Sequence, residues 1–258
     1  MSRNPQAGNR QKGFSMLEMM VVVLILGVVS AGIFLQIDTA QQRAYSEQVK
    51  LDNFQEARDF VDQFFRDINQ IGYPNSRMVD TTSLLWVPPL TTQVSYPWAN
   101  TYINDNRLAM GLIKIDASEV QFEGDMNGNG VIQSVVYMIN GSGNCTLCLQ
   151  RSQVDKASGN PLTGQAQNWG TETNDVISNP SFSYFKADGT QVTTLPVDIS
   201  TAAGALTIAS IKTIKISLLI RNNGVVDPKT RQPIETSFEG EVSLNNCSMA
   251  ATGAPMSC

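Results

Sequence analysis

The chain contains no histidine, and only 16% of its 258 residues are charged. Histidine is the side chain best suited to proton transfer near neutral pH, so its absence removes the commonest general acid or base. The sequence also has no glycine-rich phosphate loop and no serine or cysteine beside a plausible base. We therefore expect that the protein is not an enzyme.

Basic residues are scarce and unevenly placed. Three of the 18 lysines and arginines, Arg3, Arg10 and Lys12, lie in the first 13 residues, and all 23 acidic residues lie further along. An acidic chain without a basic cluster is not expected to bind nucleic acid.

The segment from Phe14 to Leu35 is apolar except for one ionisable side chain, Glu18. As a helix it would be about 33 Å long, enough to cross a hydrocarbon core of about 30 Å. A basic flank before such a span stays in the cytoplasm, so the chain after Leu35 is expected to be exported. A plain signal anchor is one interpretation, but it leaves the costly carboxylate of Glu18 unexplained.

The stretch KGFSMLE, from Lys12 to Glu18, resembles the processing signal of the type IV prepilin family. The resemblance implies that prepilin peptidase removes residues 1–13 as a cytoplasmic leader, cutting between Gly13 and Phe14, and that the new amine of Phe14 is methylated. It also implies a role for Glu18, whose carboxylate would neutralise the terminal amine of a neighbouring subunit. Residues 14–36 would then form the transmembrane segment, which becomes the filament core.

Residues 37–72 are predicted to continue the same helix as an amphipathic segment packed on the exported domain. Gly72, Tyr73 and Pro74 should end the helix, because glycine caps helices and proline cannot extend them. Apolar residues recur in steps of three and four, interrupted only by Glu47: Ile37, Ala40, Ala44, Leu51, Phe54, Ala57, Val61, Phe64, Ile68 and Ile71.

Residues 73–258 read as one β-rich exported domain, and the predicted fold class is therefore α+β, a pilin-like long helix on an antiparallel sheet. Two polar stretches, Thr91–Asn106 and Ser152–Asn179, are expected to be surface excursions. The predicted strands are Leu84–Val87, Leu108–Ile115, Val120–Glu123, Val131–Ile139, Thr146–Gln150, Ser181–Phe185, Ile211–Arg221 and Ile234–Leu244, the last two joined by a polar loop over Asn222–Pro233.

The turn after residue 124 alternates oxygen-bearing side chains at Asp125, Asn127 and Asn129 and has glycine at its sixth position. This is the first half of an EF-hand-type calcium loop, to which the backbone carbonyl of Val131 would add a fourth ligand. The position for a bidentate glutamate holds Val136. The alternative, which we favour, is a hairpin turn in which Asn-Gly pairs supply positive φ. No other cofactor is predicted.

The four cysteines, in an exported domain, favour disulfide bonds over a zinc or redox site. Three pairings are open, and we expect Cys145–Cys148 together with Cys247–Cys258, because the second closes a C-terminal loop as in many pilins.

Three features in order resemble the PilW-like minor pilins: the Gly-Tyr-Pro stop after the helix, the predicted hairpin over residues 120–139, and the late pair of strands. We therefore expect a minor pilin that initiates or enters a type IV pilus, with other pilins and prepilin peptidase as partners. It would reside in the inner membrane with its C-terminal domain outside the cytoplasm, and then in a cell-surface pilus. Two alternatives stay open: a J-like minor pseudopilin of type II secretion, and an adhesin or calcium-binding subunit carried on a pilus.

Overall fold

The computed structural model describes residues 13, 15–74, 106–140, 147–157 and 160–245. Its first element is helix α1, which runs unbroken over Met16–Asn69 and is about 81 Å long at about 1.5 Å per residue. Gly72 has a φ of 71°, a left-handed conformation that glycine adopts at little cost. The single long helix is confirmed, and it ends at Asn69, three residues before Gly72.

The N-terminal half of α1 touches nothing else in the described part of the molecule. It contains the one helical span in the described ranges that is long and apolar enough to cross a membrane, with a mean hydropathy of 2.6 and none of that window buried. This segment needs an apolar environment that the other described residues do not supply.

Burial of α1 begins much later than the apolar stripe predicts. Ile37 and Leu51 are 46% and 63% exposed, whereas helix residues from Ala57 onward meet the domain closely. The prediction that the whole stripe packs on the domain is therefore wrong for its first half, because the domain reaches those turns through an edge contact, the Lys50–Asp227 ion pair at 3.4 Å, which leaves the apolar side chains exposed. The buried helix residues are Ser46, Ala57, Phe60, Val61, Phe64, Asp67 and Ile68.

The larger of two antiparallel sheets has six strands in the order β5-β4-β3-β2-β1-β7. The middle of this sheet is in register, with Tyr137 of β3 directly opposite Arg151 of β4. Its strands are β1 (Leu112–Ile115), β2 (Glu119–Gly124), β3 (Gln133–Asn140), β4 (Cys148–Asp155), β5 (Trp169–Thr173) and β7 (Val197–Asp198).

The second sheet has three strands in the order β6-β8-β9. Strands β8 (Ile211–Val226) and β9 (Pro233–Ser243) form a long hairpin, with β6 (Phe182–Lys186) on the other side of β8. A short helix, α2 (Ala202–Ala209), precedes β8, and Thr201 caps it by accepting the Gly204 N–H. Helix α1 lies against β9, where the rings of Phe54 and Phe238 are 5.9 Å apart.

An aromatic cluster joins α1 to both sheets. The ring of Phe64 lies 5.3 Å from Tyr137 in the larger sheet and 5.8 Å from Phe182 in the smaller one, measured between centroids. Phe60 adds an edge contact with Tyr137 at 5.5 Å. Such pairs stabilise beyond the area they bury, so this cluster fixes the C-terminal end of α1 between the sheets.

The strand predictions were correct in place more often than in length. The segment 108–111 precedes β1 rather than belonging to it, and the loop of the last hairpin is shorter than predicted because β8 continues to Val226. The stretch Ser152–Asn179 was wrongly assigned to a surface excursion, since it holds the end of β4 and all of β5. The predicted strand Leu84–Val87 lies outside the described residues.

Candidate functional site

The start of α1 presents the residues on which the processing and assembly predictions rest. Ser15 has extended backbone, and its carbonyl accepts the first helical N–H bonds, from Glu18 at 2.9 Å and Met19 at 3.1 Å. Glu18 therefore lies in the first turn, where the positive end of the helix dipole favours a carboxylate. Gly13 and Glu18 are both exposed, and Phe14 lies outside the described residues.

The apolar side chains that follow Glu18 surround the helix on every side. Leu24 is 67% exposed, Val29 53% and Leu35 70%, and the other large apolar side chains of this segment are exposed to a similar extent. A helix that is apolar all round is buried in lipid or in other protein. This part of α1 can therefore span a membrane or pack among copies of the same kind of helix.

At its other end α1 is held by a buried ionic contact. The Arg151 guanidinium donates to the Asp67 carboxylate through Nη2 at 2.7 Å and through Nε at 2.9 Å. The Tyr137 hydroxyl donates to the same oxygen, Oδ2, at 2.6 Å. Asp67 is 1% exposed and the Arg151 side chain 15%, so this three-residue cluster joins the helix to strands β3 and β4 out of water.

Burial and the neighbouring charge determine the protonation of this cluster. Burial raises the pKa of Tyr137 well above 10, and the Asp67 carboxylate raises it further, while Arg151 opposes the change. Burial alone would lower the pKa of Arg151, but the neighbouring oxygens of Tyr137 and Asp67 favour the charged guanidinium and the pKa is raised. Tyr137 thus stays a neutral hydrogen-bond donor beside a charged pair.

This cluster is not among the residues predicted from the sequence, although one signal for it is present there. Asp67 lies between the buried residues Phe64, three positions before it, and Ile71, four positions after it, where an apolar side chain is expected. A carboxylate on the buried face of a helix requires a partner. That partner, Arg151, is 84 residues away in the chain and no local pattern points to it.

A second buried ion pair lies where β2 ends. Lys156 Nζ is 2.7 Å from Glu123 Oε2, with both side chains fully buried, and it also donates to the Leu108 carbonyl at 2.7 Å. Glu123 Oε2 in turn accepts the Met110 N–H at 3.0 Å. The pair thereby fixes the segment that enters β1.

In the predicted calcium loop the ligand oxygens are engaged with the loop's own backbone. Asp125 accepts the N–H of Asn129 through Oδ1 at 3.2 Å and that of Gly130 through Oδ2 at 2.8 Å. Asn127 and Asn129 each accept an N–H two residues on, from Asn129 and Val131. Gly128 and Gly130 have positive φ, as the hairpin alternative expects. These bonds account for the turn without an ion, and calcium binding stays a prediction.

The described residues hold no group of three or more histidine, cysteine, aspartate or glutamate side chains placed to bind a metal. Cys148 takes part in a disulfide bond. Cys145, Cys247 and Cys258 lie outside the described residues, so the pairing of the four cysteines stays a prediction.

Residues 8–34 match the family model described as the prokaryotic N-terminal methylation motif. The matched range includes the predicted cleavage bond, Glu18 and most of the exposed apolar helix. Together with a long helix packed on an antiparallel sheet domain, the match supports a type IV pilin-like prepilin, a class that includes pseudopilins. No curated protein and no solved structure matches the chain.

Proposed function

We propose that the protein is a minor pilin, PilW-like in its order of features, which initiates or enters a type IV pilus. The observation that carries the proposal is the combination of the methylation motif with an exposed apolar half-helix that has Glu18 in its first turn. Prepilin peptidase would remove residues 1–13 and methylate Phe14. The subunit would wait in the inner membrane, with its domain on the outer side, until other pilins recruit it.

The carboxylate of Glu18 would determine the position of the subunit in the filament. A lone carboxylate among apolar side chains is costly, on the order of a few kcal/mol near a helix end. Opposite charges at about 4 Å attract several times more strongly in a protein environment than in water. The amine of Phe14 on a neighbouring subunit would therefore neutralise Glu18 where the two helices are correctly staggered.

The buried cluster of Asp67, Arg151 and Tyr137 supports a rigid subunit. It joins the last turns of α1 to the larger sheet, while the aromatic contacts of Phe64 reach both sheets. A filament contact made by the apolar half of α1 would then place the exported domain in one orientation.

Replacement of Glu18 tests the proposal. Glu18→Ala removes the costly carboxylate, so membrane insertion should be unchanged or improved. The amount of the Glu18→Ala variant in sheared filaments should nevertheless fall strongly, because the terminal amine of the neighbouring subunit loses its partner. Immunoblots of membrane and filament fractions measure both quantities, and the filaments with which the wild type purifies distinguish a pilus from a secretion pseudopilus.

Glu56→Ala is the matched control, because Glu56 is an exposed carboxylate on the same helix beyond the apolar segment. It should enter filaments as the wild type does. Normal filament levels of Glu18→Ala would contradict the assembly role.

A further inference from the structure

Asparagine is followed directly by glycine at four places in the chain, and two of these pairs are consecutive in the turn between β2 and β3. Glycine has no side chain to shield its own backbone nitrogen, so this nitrogen can approach the side-chain carbonyl of the preceding asparagine. The pairs are Asn127-Gly128, Asn129-Gly130, Asn140-Gly141 and Asn223-Gly224, of which Gly141 lies outside the described residues. The three described pairs differ in the hydrogen bond that the glycine nitrogen makes.

The reaction open to such a pair is cyclisation to a succinimide. The glycine nitrogen loses its proton to hydroxide and attacks the side-chain carbonyl carbon of the asparagine. The bond from that carbon to the side-chain nitrogen breaks, and ammonia leaves. Water then opens the ring to aspartate or isoaspartate, so the net reaction converts an amide and water into a carboxylate and ammonium. Asparagine is therefore one of the thermolabile residues.

Gly128 has the most accessible nitrogen of the three described pairs. Asn127 and Gly128 are both exposed, and within the described part of the chain the Gly128 N–H donates no hydrogen bond. Asn127 Oδ1 accepts the N–H of Asn129 at 3.2 Å, which holds the side-chain carbonyl of Asn127 beside the Gly128 peptide between them. Both the nitrogen and the carbon that it would attack are therefore available.

Asn129 has a similar conformation but is followed by a protected nitrogen. Its Oδ1 accepts the N–H of Val131 at 2.8 Å, as Asn127 accepts that of Asn129. The Gly130 N–H, however, donates to Oδ2 of the buried Asp125 carboxylate at 2.8 Å. Hydrogen bonds to an ionised acceptor are among the stronger ones. The Gly130 nitrogen would have to give up this bond and develop negative charge beside a carboxylate, which slows the attack.

Asn223 is protected in a weaker form of the same way. The Gly224 N–H donates to Oδ1 of Asn222 at 3.0 Å, and all three residues belong to strand β8. A neutral amide oxygen holds an N–H less strongly than a carboxylate does. The expected order of reactivity is therefore Asn127 first, Asn223 second and Asn129 last.

We propose that Asn127 is a site of spontaneous deamidation in the folded protein, whereas Asn129 and Asn223 keep their side-chain amides for longer. The product has an additional negative charge two residues from Asp125, in the same turn. Where the ring opens to isoaspartate, the main chain of the turn also gains a methylene group. The charge of this turn therefore increases with the age of the protein, and this property does not depend on filament assembly.

Incubation of the purified full chain in detergent, at mildly alkaline pH and in water enriched in heavy oxygen, tests the proposal. Each deamidation incorporates an oxygen atom from the solvent, so mass spectrometry of peptide fragments from an acidic digest assigns the label to one asparagine. In the folded protein Asn127 should react about tenfold or more faster than Asn129, as expected when a hydrogen bond to a charged acceptor must be lost. In urea the two rates should become similar, because glycine follows both residues and the bond to Asp125 is broken.

Two variants separate the two asparagines. Asn127→Gln should remove the label at position 127 and leave Asn129 unchanged, because glutamine would have to form a larger ring. Asp125→Ala removes the acceptor of the Gly130 N–H and should accelerate the reaction of Asn129 in the folded protein. Glu241→Gln is the control, since it changes an exposed carboxylate of β9 and should alter neither rate. Circular dichroism of each variant confirms that the domain has folded.

Equal rates at Asn127 and Asn129 in the folded protein would overturn the proposal, as would the absence of label at Asn127. This comparison uses the wild type alone, so it holds even if Asp125→Ala fails to fold. A faster reaction at Asn129 than at Asn127, slowed by Asp125→Ala, would show that Asp125 acts as a base for the Gly130 N–H. That result would also overturn the proposal.

Discussion

Replacing the Asp67 carboxylate by an amide is a small chemical change that should destabilise the domain strongly. In Asp67→Asn the guanidinium of Arg151, 15% exposed, loses its counter-charge. Removing one partner of a buried pair costs about 3–5 kcal/mol, and the residual exposure of Arg151 places the expected loss near about 3 kcal/mol. Urea unfolding of the full chain in detergent, followed by near-ultraviolet circular dichroism, measures it.

Asp62→Asn is the control for this substitution. Asp62 forms an ion pair with Arg58 on the same helix at 3.9 Å, but both side chains are more than 60% exposed. Exposed pairs of this kind contribute less than about 1 kcal/mol. Equal effects of the two substitutions would show that the buried cluster has no special role in stability.

Glu172 should make stability depend on pH. Burial raises its pKa above the ordinary 4.5, so the folded state binds the proton more tightly than the unfolded state. Its contribution to stability is therefore complete at low pH and is lost as pH rises from 4.5 through the folded pKa. Glu172→Gln should raise the thermal midpoint at about pH 7 and leave it unchanged at about pH 4.

Thermal melts at both pH values, with Glu241→Gln as the exposed control, give the comparison. An equal gain at both pH values would mean that the ionisation of Glu172 is not the cause.

At the scale of elements, the contact between the end of α1 and β2 leaves no room for a side chain at Gly124. A Cβ there would press on the Gln70 carbonyl oxygen and lie 2.9 Å from its carbon, both backbone atoms. Gly124→Ala should lower the free energy of unfolding by about 2 kcal/mol, as overpacking typically does. Gly170→Ala is the control, since its nearest neighbour is at 3.8 Å. If both variants unfold alike, the contact adapts and the helix end is not fixed there.

The loop between β2 and β3 gives the calcium prediction. Each carboxylate oxygen has a second lone pair, so Asp125 can hold its backbone bonds and still contact an ion. Affinity should be weak, about 10⁻⁴–10⁻³ M, and calcium in excess should raise the thermal midpoint of the full chain. Asp125→Asn keeps an acceptor oxygen and should abolish the rise. No rise in the wild type, or the same rise with magnesium, would leave only the hairpin turn.

Elements whose periodicity is strong were predictable from the sequence, and elements formed by pairing alone were not. Strands β2, β3, β8 and β9 have β-branched or alternating residues that mark them locally. Strand β5 reads WGTET within a polar stretch, and it is a strand because β4 provides a partner edge. The first half of the apolar helix stripe is exposed for a related reason. Periodicity identifies the apolar face of a helix, but it does not show which element packs on that face.

At the scale of the whole molecule, the two ends of α1 belong to different environments. We expect protease added to spheroplasts to digest the exported domain and to leave a fragment that the membrane protects. That fragment should begin at N-methylated Phe14 and extend beyond Leu35, because basic leader residues hold the preceding end in the cytoplasm. Intact-mass analysis reads both ends. A fragment that starts near Ala31, or that retains Met1, would contradict the prepilin interpretation.

Some residues of the candidate site could be predicted from the sequence, and others could not. Gly13, Phe14 and Glu18 form a contiguous motif, and their chemistry can be read without a structure. The buried cluster of Asp67, Arg151 and Tyr137 joins a helix to two strands, and the face on which its strand residues lie depends on the register of those strands. A shift of one residue would turn each side chain to the opposite face, which no local pattern can foresee.

The buried ion pair of Glu123 and Lys156 favours one register of the strands in the larger sheet. Slippage by one residue is already penalised, because it would expose the apolar face of each strand. Slippage by two residues keeps each apolar side chain on its original face, so the free energy of hydrophobic burial would not oppose it. It would, however, separate two charges with no solvent exposure, at a cost of about 3–5 kcal/mol. The ion pair therefore disfavours the alternative strand registers that burial of the apolar residues alone would allow.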